Sequence, residues 1–161
     1  MNLLKIDQLA PMNHIYRFFE LNDYLRSVSE NGYVSIDYWT CGAHYLVDYI
    51  SYQNTRSIKK KLKKYGLNII CVTPEQNCPK PYNFASKDTE LKKRTRSYYQ
   101  NVIMAASEFG CSKMLVTSGW QFLSEPREEA WKRSVEMIGS LCQFAERYGV
   151  YLPIETLSPF S

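Results

Sequence analysis

Two glutamates stand at the ends of apolar segments. Glu155 follows the apolar run 150–154, and Glu75 ends another run that begins at residue 67. A carboxylate is costly to bury unless it is paired, hydrogen-bonded or bound to a metal. Glu155 is therefore a candidate for metal binding or acid–base chemistry, with a capping role at a strand end as the alternative. Glu75 is a candidate for the same pocket or for an ion pair.

One histidine and two tryptophans follow or end other apolar runs. His14 comes after the first run of the chain, where it can face a pocket or serve as a structural, hydrogen-bonded histidine. Trp39 ends the second run and Trp120 follows the fourth. Their indole rings can form the apolar wall of a binding site, or they can pack in the core or at its rim.

A unit of helix, glycine and apolar run is repeated four times and predicts the elements that position these residues. The glycines, which suit the left-handed residue after a helix, are Gly32, Gly66, Gly110 and Gly149. The predicted helices cover residues 22–31, 56–65, 91–109 and 127–148. The predicted strands are Lys5–Met12, Tyr33–Trp39, Leu67–Glu75, Cys111–Gly119 and Val150–Leu157. In the last helix, one apolar stripe is formed by Trp131, Val135, Ile138, Cys142, Ala145 and Tyr148.

The order of these elements predicts an α/β fold with a parallel sheet. The strand segments are continuously apolar, as in strands covered on both faces, and the helices between them require parallel crossovers. An open doubly wound sheet and a (β/α)8 barrel both fit this order. No G-x-G-x-x-G follows the first strand, and polar residues gather at several strand ends, so we favour the barrel. Five strands and four helices make an incomplete TIM barrel.

Composition and charge exclude several classes of partner. The chain has 161 residues and a formal net charge of +4, which is too weak to indicate a nucleic-acid or membrane partner. The lysine-rich segment 56–64 has the pattern of a solvated helix face. The N-terminus carries charge where a signal peptide is apolar. The five cysteines contain no C-x-x-C pair, which predicts reduced thiols. We therefore expect a cytoplasmic protein.

Three segments of the chain resemble one known family. They are Ile69-Ile70-Cys71-Val72-Thr73-Pro74-Glu75-Gln76-Asn77 followed by Pro81-Tyr82-Asn83, Ile36-Asp37-Tyr38-Trp39 with Gly42-Ala43-His44, and Glu155-Thr156-Leu157-Ser158-Pro159-Phe160. They are similar to the third-, second- and fifth-strand segments of the sugar phosphate isomerase/epimerase family, the xylose isomerase-like TIM barrels. The resemblance implies that residues 1–161 are the N-terminal portion of a single barrel domain, which in the family continues for three more βα units.

The resemblance also implies an activity and a cofactor. It implies a metal-dependent sugar or sugar-phosphate isomerase or epimerase of carbohydrate metabolism, which moves a proton at the carbon next to a ketose carbonyl through an enediolate. A divalent ion, Mn²⁺ or Mg²⁺, stabilises that species. Glu155 is the implied metal ligand and one of two catalytic carboxylates, and the family's other ligands lie on strands beyond residue 161. A second family glutamate is replaced here by Ser161, which leaves the substrate open.

The same resemblance gives candidate substrate-binding residues and leaves alternatives. The candidates are His14, Trp39, His44 and Glu75; for His44, a loop-stabilising role is the alternative. The implied partner is a small sugar, and the implied assembly is a homo-oligomer. A DNA-repair endonuclease of the AP-endonuclease type shares the barrel but needs a histidine-rich zinc cluster, and the chain has two histidines. The third hypothesis is a truncated barrel fragment that is inactive by itself.

Overall fold

The protein is described by a computed structural model over residues 4–76 and 81–156. Its helices are α1 (Leu21–Glu30), α2 (Arg56–Tyr65), α3 (Thr89–Phe109) and α4 (Arg127–Glu146), with short 3-10 helices at Ile6–Gln8 and Asn13–Tyr16. Its strands are β1 (Ser35–Thr40), β2 (Asn68–Pro74), β3 (Val116–Thr117) and β4 (Ile154–Glu155). All four predicted helices are confirmed, with ends that differ by no more than about two residues, the usual uncertainty of a helix boundary.

The strands pair in parallel and in chain order. β1 pairs with β2 along its whole length, with one bulge between Ile36 and Asp37. A bridge between Val72 and Met114 links β2 to the segment before β3, and β3 pairs with β4. Neighbouring strands are thus joined by helices, which is the arrangement of successive units in a (β/α) barrel.

The predicted first strand, Lys5–Met12, is largely irregular. It contains the 3-10 helix Ile6–Gln8 and contributes one parallel bridge, between Met12 and Asp37. The N–H of Asp37 donates to the carbonyl of Pro11 at 3.1 Å. Proline has no N–H to return to the ladder, so the segment occupies the first-strand position without regular pairing.

The two faces of β1 differ in burial. Ile36, Tyr38 and Thr40 are buried, whereas Asp37 and Trp39 are partly exposed. In this alternation the buried set faces the helices and the other set faces the barrel axis. The register pairs Asp37 with Cys71 and Trp39 with Thr73, and paired residues in a ladder share a face. We call this second side the axis-facing side.

Helix α4 packs with a different face from the predicted stripe. Its buried residues are Ala130, Ser134, Met137, Leu141 and Ala145. In the predicted stripe, Trp131 is 61% and Val135 53% exposed, and Cys142 and Tyr148 are exposed as well. The prediction is therefore wrong except for Ala145, which is buried, and Ile138, which is partly buried against the core. Small side chains allow close approach to α3, and the Ser134 hydroxyl donates to the carbonyl of Ser118 at 2.6 Å. No helix among the described residues is long and apolar enough to cross a membrane.

Candidate functional site

Glu155 lies on the axis-facing side at the end of β4. The register pairs Val116 with Ile154 and Thr117 with Glu155. Met114 forms a bridge with Val72, whose partner Tyr38 belongs to the buried, helix-facing set of β1. Val116 lies two residues beyond Met114 and is fully buried on the same side, so its partner Ile154 shares that side and Glu155 points to the opposite one. The Glu155 side chain is exposed.

A second carboxylate, Asp37, occupies the same side. Its Oδ1 accepts a hydrogen bond from the Thr73 hydroxyl at 2.7 Å. Burial raises the pKa of Asp37 above its usual value; the Thr73 hydrogen bond acts in the opposite direction, and the charge of Glu155 raises the pKa further. The two carboxylates are therefore within electrostatic reach of each other across the strands.

Asp37 was not among the site residues predicted from the sequence. The available signal was a carboxylate in the middle of the apolar strand Ile36-Asp37-Tyr38-Trp39, and the desolvation argument applied to Glu155 covers it equally. Beside it on this side, burial raises the pKa of the Cys71 thiol to about 11, with the Asp37 charge as the next cause. Cys71 is therefore a protonated thiol at neutral pH.

His14 and Trp39 are in contact. Their ring centroids are 4.9 Å apart, and the rings meet edge to face at 60°. His14 is exposed on the 3-10 helix Asn13–Tyr16, and Trp39 is partly exposed two residues beyond Asp37 on β1. The fold thus brings a histidine, an indole and a carboxylate to one end of one strand.

His44, by contrast, is buried with 5% of its surface exposed. Its Nδ1 lies 2.8 Å from Asn13 Nδ2, and its Nε2 lies 2.9 Å from the Phe19 carbonyl oxygen. Both ring nitrogens are therefore engaged by protein groups. Asn13, which was not among the predicted site residues either, is completely buried beside His44.

Glu75 follows β2 directly and is partly buried. Its backbone N–H donates to the Tyr98 hydroxyl of α3 at 2.9 Å. Burial raises the pKa of Tyr99 well above its usual range, and the Glu75 charge contributes in the same direction. Within the described residues, Glu75 forms no ion pair.

Asn83 and Trp120 join the loops that follow β2 and β3. Asn83 Nδ2 donates to the Trp120 carbonyl at 2.7 Å, and the Trp120 N–H donates to Asn83 Oδ1 at 3.0 Å. Gly119 has φ +81°, and a Cβ at this position would lie 2.6 Å from Asn83 Oδ1. The tight approach of the two loops requires glycine here. Trp120 is partly buried, and its indole N–H lacks a hydrogen-bond partner within residues 4–76 and 81–156.

The axis-facing side carries two carboxylates whose oxygens could contribute to a metal site. Carboxylate oxygens of Glu155 and Asp37 suit Mn²⁺ or Mg²⁺. Over the described ranges, however, no group of three or more His, Cys, Asp or Glu side chains is arranged to hold a metal ion. Cys41, Cys71, Cys111 and Cys142 are free thiols; Cys78 and Ser161 lie outside the described residues.

The chain is similar to sugar epimerases. It is 27% identical over 153 residues to fructoselysine 3-epimerase of Shigella flexneri and 26% identical to that of Escherichia coli O157:H7. These matches cover 95% of this chain and 52% of each relative. The chain thus spans about half the length of the curated relatives it matches.

Solved structures agree with the fold. The structure superposes on 3-keto-D-glucoside 4-epimerase from E. coli with a TM-score of 0.74, 16% identity, and coverage of 94% of this chain and 56% of that one. For D-psicose 3-epimerase in the presence of D-fructose, the TM-score is 0.72, with 16% identity and coverage of 95% and 54%. These likenesses confirm the incomplete (β/α)8 barrel. Residues 25–161 also match the family described as xylose isomerase-like TIM barrel, and the chain belongs to that family.

Proposed function

We propose that this chain is the N-terminal portion of a metal-dependent sugar epimerase that acts on a ketose or a ketose-like derivative. The observation that carries the proposal is the position of Glu155, a carboxylate on the axis-facing side at the carboxyl end of a parallel strand. Active sites of such barrels form at this end. The similarity to fructoselysine 3-epimerases supports the reaction class.

Glu155 is the proposed acid–base group. Epimerisation beside a carbonyl removes a C–H proton and returns a proton to the opposite face of the carbon. A carboxylate performs one of these transfers when its oxygen reaches the reacting carbon. Because Glu155 is exposed on the axis-facing side, a sugar bound there can meet its oxygens directly. The second transfer needs a second group on the other face of the sugar.

Trp39 and His14 are the proposed sugar contacts, with Glu75 as a further candidate at the end of β2. An indole face covers the apolar C–H surface of a sugar, and an imidazole can donate to or accept from a hydroxyl. The Trp39 and His14 rings are in contact, with their centroids 4.9 Å apart, so one ligand can contact both. His44 has a supporting role here rather than a sugar-binding one, because both of its ring nitrogens bind protein groups.

Glu155 is also the proposed ligand for Mn²⁺ or Mg²⁺, and Asp37 lies close enough to add negative charge. A bound divalent ion would supply stabilisation of the negative charge that develops on the substrate oxygens. Within residues 4–76 and 81–156, Glu155 and Asp37 are too few donors for a complete site. This shortage favours the second candidate function, a barrel fragment that has no activity by itself. A histidine-rich zinc cluster has less support, because His44 is buried and bonded to Asn13 and Phe19.

Deuterium exchange tests the proposed function. Residues 1–161 are fused to the half of E. coli fructoselysine 3-epimerase that they do not match, and incorporation of solvent deuterium into D-fructose and fructoselysine is followed with Mn²⁺ present. We expect exchange in the fusion and its near-complete loss in Glu155→Gln. The matched control is Glu146→Gln at the exposed end of α4, which should keep exchange.

Two outcomes decide between the candidates. Retained exchange in a folded Glu155→Gln fusion, verified by circular dichroism, would assign the proton transfer to another group. The unfused chain should give no exchange. Turnover by the unfused chain would contradict the inactive-fragment hypothesis and would require a site built from residues within 1–161.

A further inference from the structure

The side chain of Asn13 continues the parallel ladder where the main chain leaves it. Before this point, the N–H of Asp37 donates to the Pro11 carbonyl at 3.1 Å. The chain then turns into the 3-10 helix Asn13–Tyr16. The Trp39 N–H donates to Asn13 Oδ1 at 2.7 Å, and Asn13 Nδ2 donates to the Trp39 carbonyl at 3.0 Å. Both main-chain polar groups of Trp39 are thus bonded to one side chain.

His44 completes this arrangement. Asn13 Nδ2 has a second hydrogen to donate, and His44 Nδ1 accepts it at 2.8 Å. The other ring nitrogen then carries the proton and donates to the Phe19 carbonyl at 2.9 Å. The network therefore assigns a neutral His44 with the proton on Nε2. Asn13 and His44 are 0% and 5% exposed, so water does not compete for these bonds.

This hydrogen bonding determines the position of His14, the residue after Asn13. The Asn13 side chain makes the hydrogen bonds to Trp39 that a continued strand would make, so the main chain can turn into the 3-10 helix. His14 then packs against Trp39, with the ring centroids 4.9 Å apart. The exposed His14 and the partly exposed Trp39 are thus held in place by the buried Asn13 and His44.

We propose that Asn13 and His44 are positioning residues that hold Trp39 and His14 as one preformed contact pair for a sugar. This inference rests on the proposed function for its ligand. Fixing both rings before binding avoids the entropy cost of ordering them on the ligand. A merely structural pair would stabilise the fold without fixing the geometry between the two rings.

Fluorescence of Trp39 reports that geometry directly. Trp120→Phe and Trp131→Phe leave Trp39 as the single tryptophan. The His14 ring lies against the indole, with the ring centroids 4.9 Å apart, and therefore shields part of it from a quencher in solution. His14→Ala should increase the quenching of Trp39 emission by acrylamide, and this increase is the signature of a lost ring contact.

Asn13→Asp is the central variant. Aspartate keeps the acceptor for the Trp39 N–H but loses both donated bonds, to the Trp39 carbonyl and to His44. We expect acrylamide quenching of Trp39 to rise towards the level seen in His14→Ala. The matched control is Asn68→Asp, the same change on an exposed side chain at the start of β2, which should leave the quenching unchanged. Quenching at the parent level in a folded Asn13→Asp protein would overturn the proposal.

Two substitutions of His44 decide the matter if Asn13→Asp does not fold. His44→Leu removes both bonds, whereas His44→Gln offers one acceptor and one donor. We expect acrylamide quenching of Trp39 to rise with leucine and to rise less with glutamine. Quenching at the parent level in both variants would contradict the proposal.

A titration with D-fructose separates the positioning role of Asn13 and His44 from the assignment of a sugar as the ligand. A change in Trp39 emission that is weakened in Asn13→Asp supports the sugar contact. If D-fructose has no effect while the pattern of acrylamide quenching holds, Asn13 and His44 do position the ring pair, and its assignment to a ketose is wrong.

Discussion

Two tryptophans at the ends of different strands are held in the same way but with different support. Asn13 binds both the N–H and the carbonyl of Trp39 near the end of β1, and Asn83 does the same for Trp120 after β3. In the first clamp, the asparagine amide nitrogen has a second acceptor, His44 Nδ1. In the second clamp, it is the asparagine oxygen that is shared.

The second clamp depends on backbone approach. Asn83 Oδ1 accepts from the N–H groups of both Ala85 and Trp120, each at 3.0 Å, and Gly119 packs against it. The first clamp uses the amide as a donor twice, and the second uses it as an acceptor twice. A single amide can therefore fix a tryptophan at a strand end by either of its polar atoms, and the two clamps should respond differently to the same substitution.

The largest expected effect is at the second clamp. Gly119→Ala forces a Cβ to within 2.6 Å of Asn83 Oδ1 at φ +81°, and such a conformation is strained for any other residue. We expect the free energy of unfolding to fall by about 2–4 kcal/mol, measured by urea denaturation. Gly139→Ala is the control, because nothing lies within 4 Å of its Cβ position. That change should stabilise α4 by about 0.5–1 kcal/mol; equal losses at both glycines would contradict the packing argument.

Aspartate at the two asparagines should break the comparison directly. Asn13→Asp loses two donated bonds, whereas Asn83→Asp loses one and keeps both accepted bonds. With each lost bond costing about 1 kcal/mol or more, Asn13→Asp should be the more destabilising by at least about 1 kcal/mol. Urea denaturation near neutral pH measures the difference. Equal costs would show that burial of the new carboxyl, rather than the bonding pattern, controls both sites.

Asp37→Asn should have a smaller effect on stability, and the size of that effect depends on pH. Burial raises the pKa of Asp37 above 3.8, so its contribution to stability is complete below that pH and is lost as the pH rises through the raised value. Asparagine does not titrate and can still accept from Thr73. The variant should therefore gain stability relative to the parent between about pH 4 and pH 7, by less than about 1 kcal/mol. Thermal melts across this range measure the difference, and a loss of stability in the variant would contradict this account.

The smallest effect is expected at the Trp120 ring. Its indole N–H is buried, and the described residues offer it no acceptor, so Trp120→Phe removes a polar group that gains nothing from burial. The stability change should stay within about 1 kcal/mol, since the loss of ring volume opposes the relief of the unsatisfied donor. A large destabilisation would indicate that the N–H has a partner. Trp131→Phe on the exposed face of α4 is the control.

The helices were predictable because their signals are local. A stripe of apolar residues and a closing glycine lie within each segment, and Gly66 and Gly110 do adopt positive φ after α2 and α3. The face of α4 was not predictable in the same way. The helix carries apolar residues on two sides, and its small residues Ala130 and Ser134 face inward because they allow close packing. Periodicity alone favoured the bulkier side.

The sequence by itself determined the four helices, the parallel order of the strands and the location of polar residues at their ends. It also marked Glu155, because a charge that ends an apolar strand is recognisable without coordinates. Only the tertiary structure decided that Asp37 lies near Glu155 and that Asn13 binds Trp39 and His44. These partners are separated by 26 to 118 positions in the sequence, and hydrogen bonds between distant residues depend on how the strands align, which no local pattern encodes.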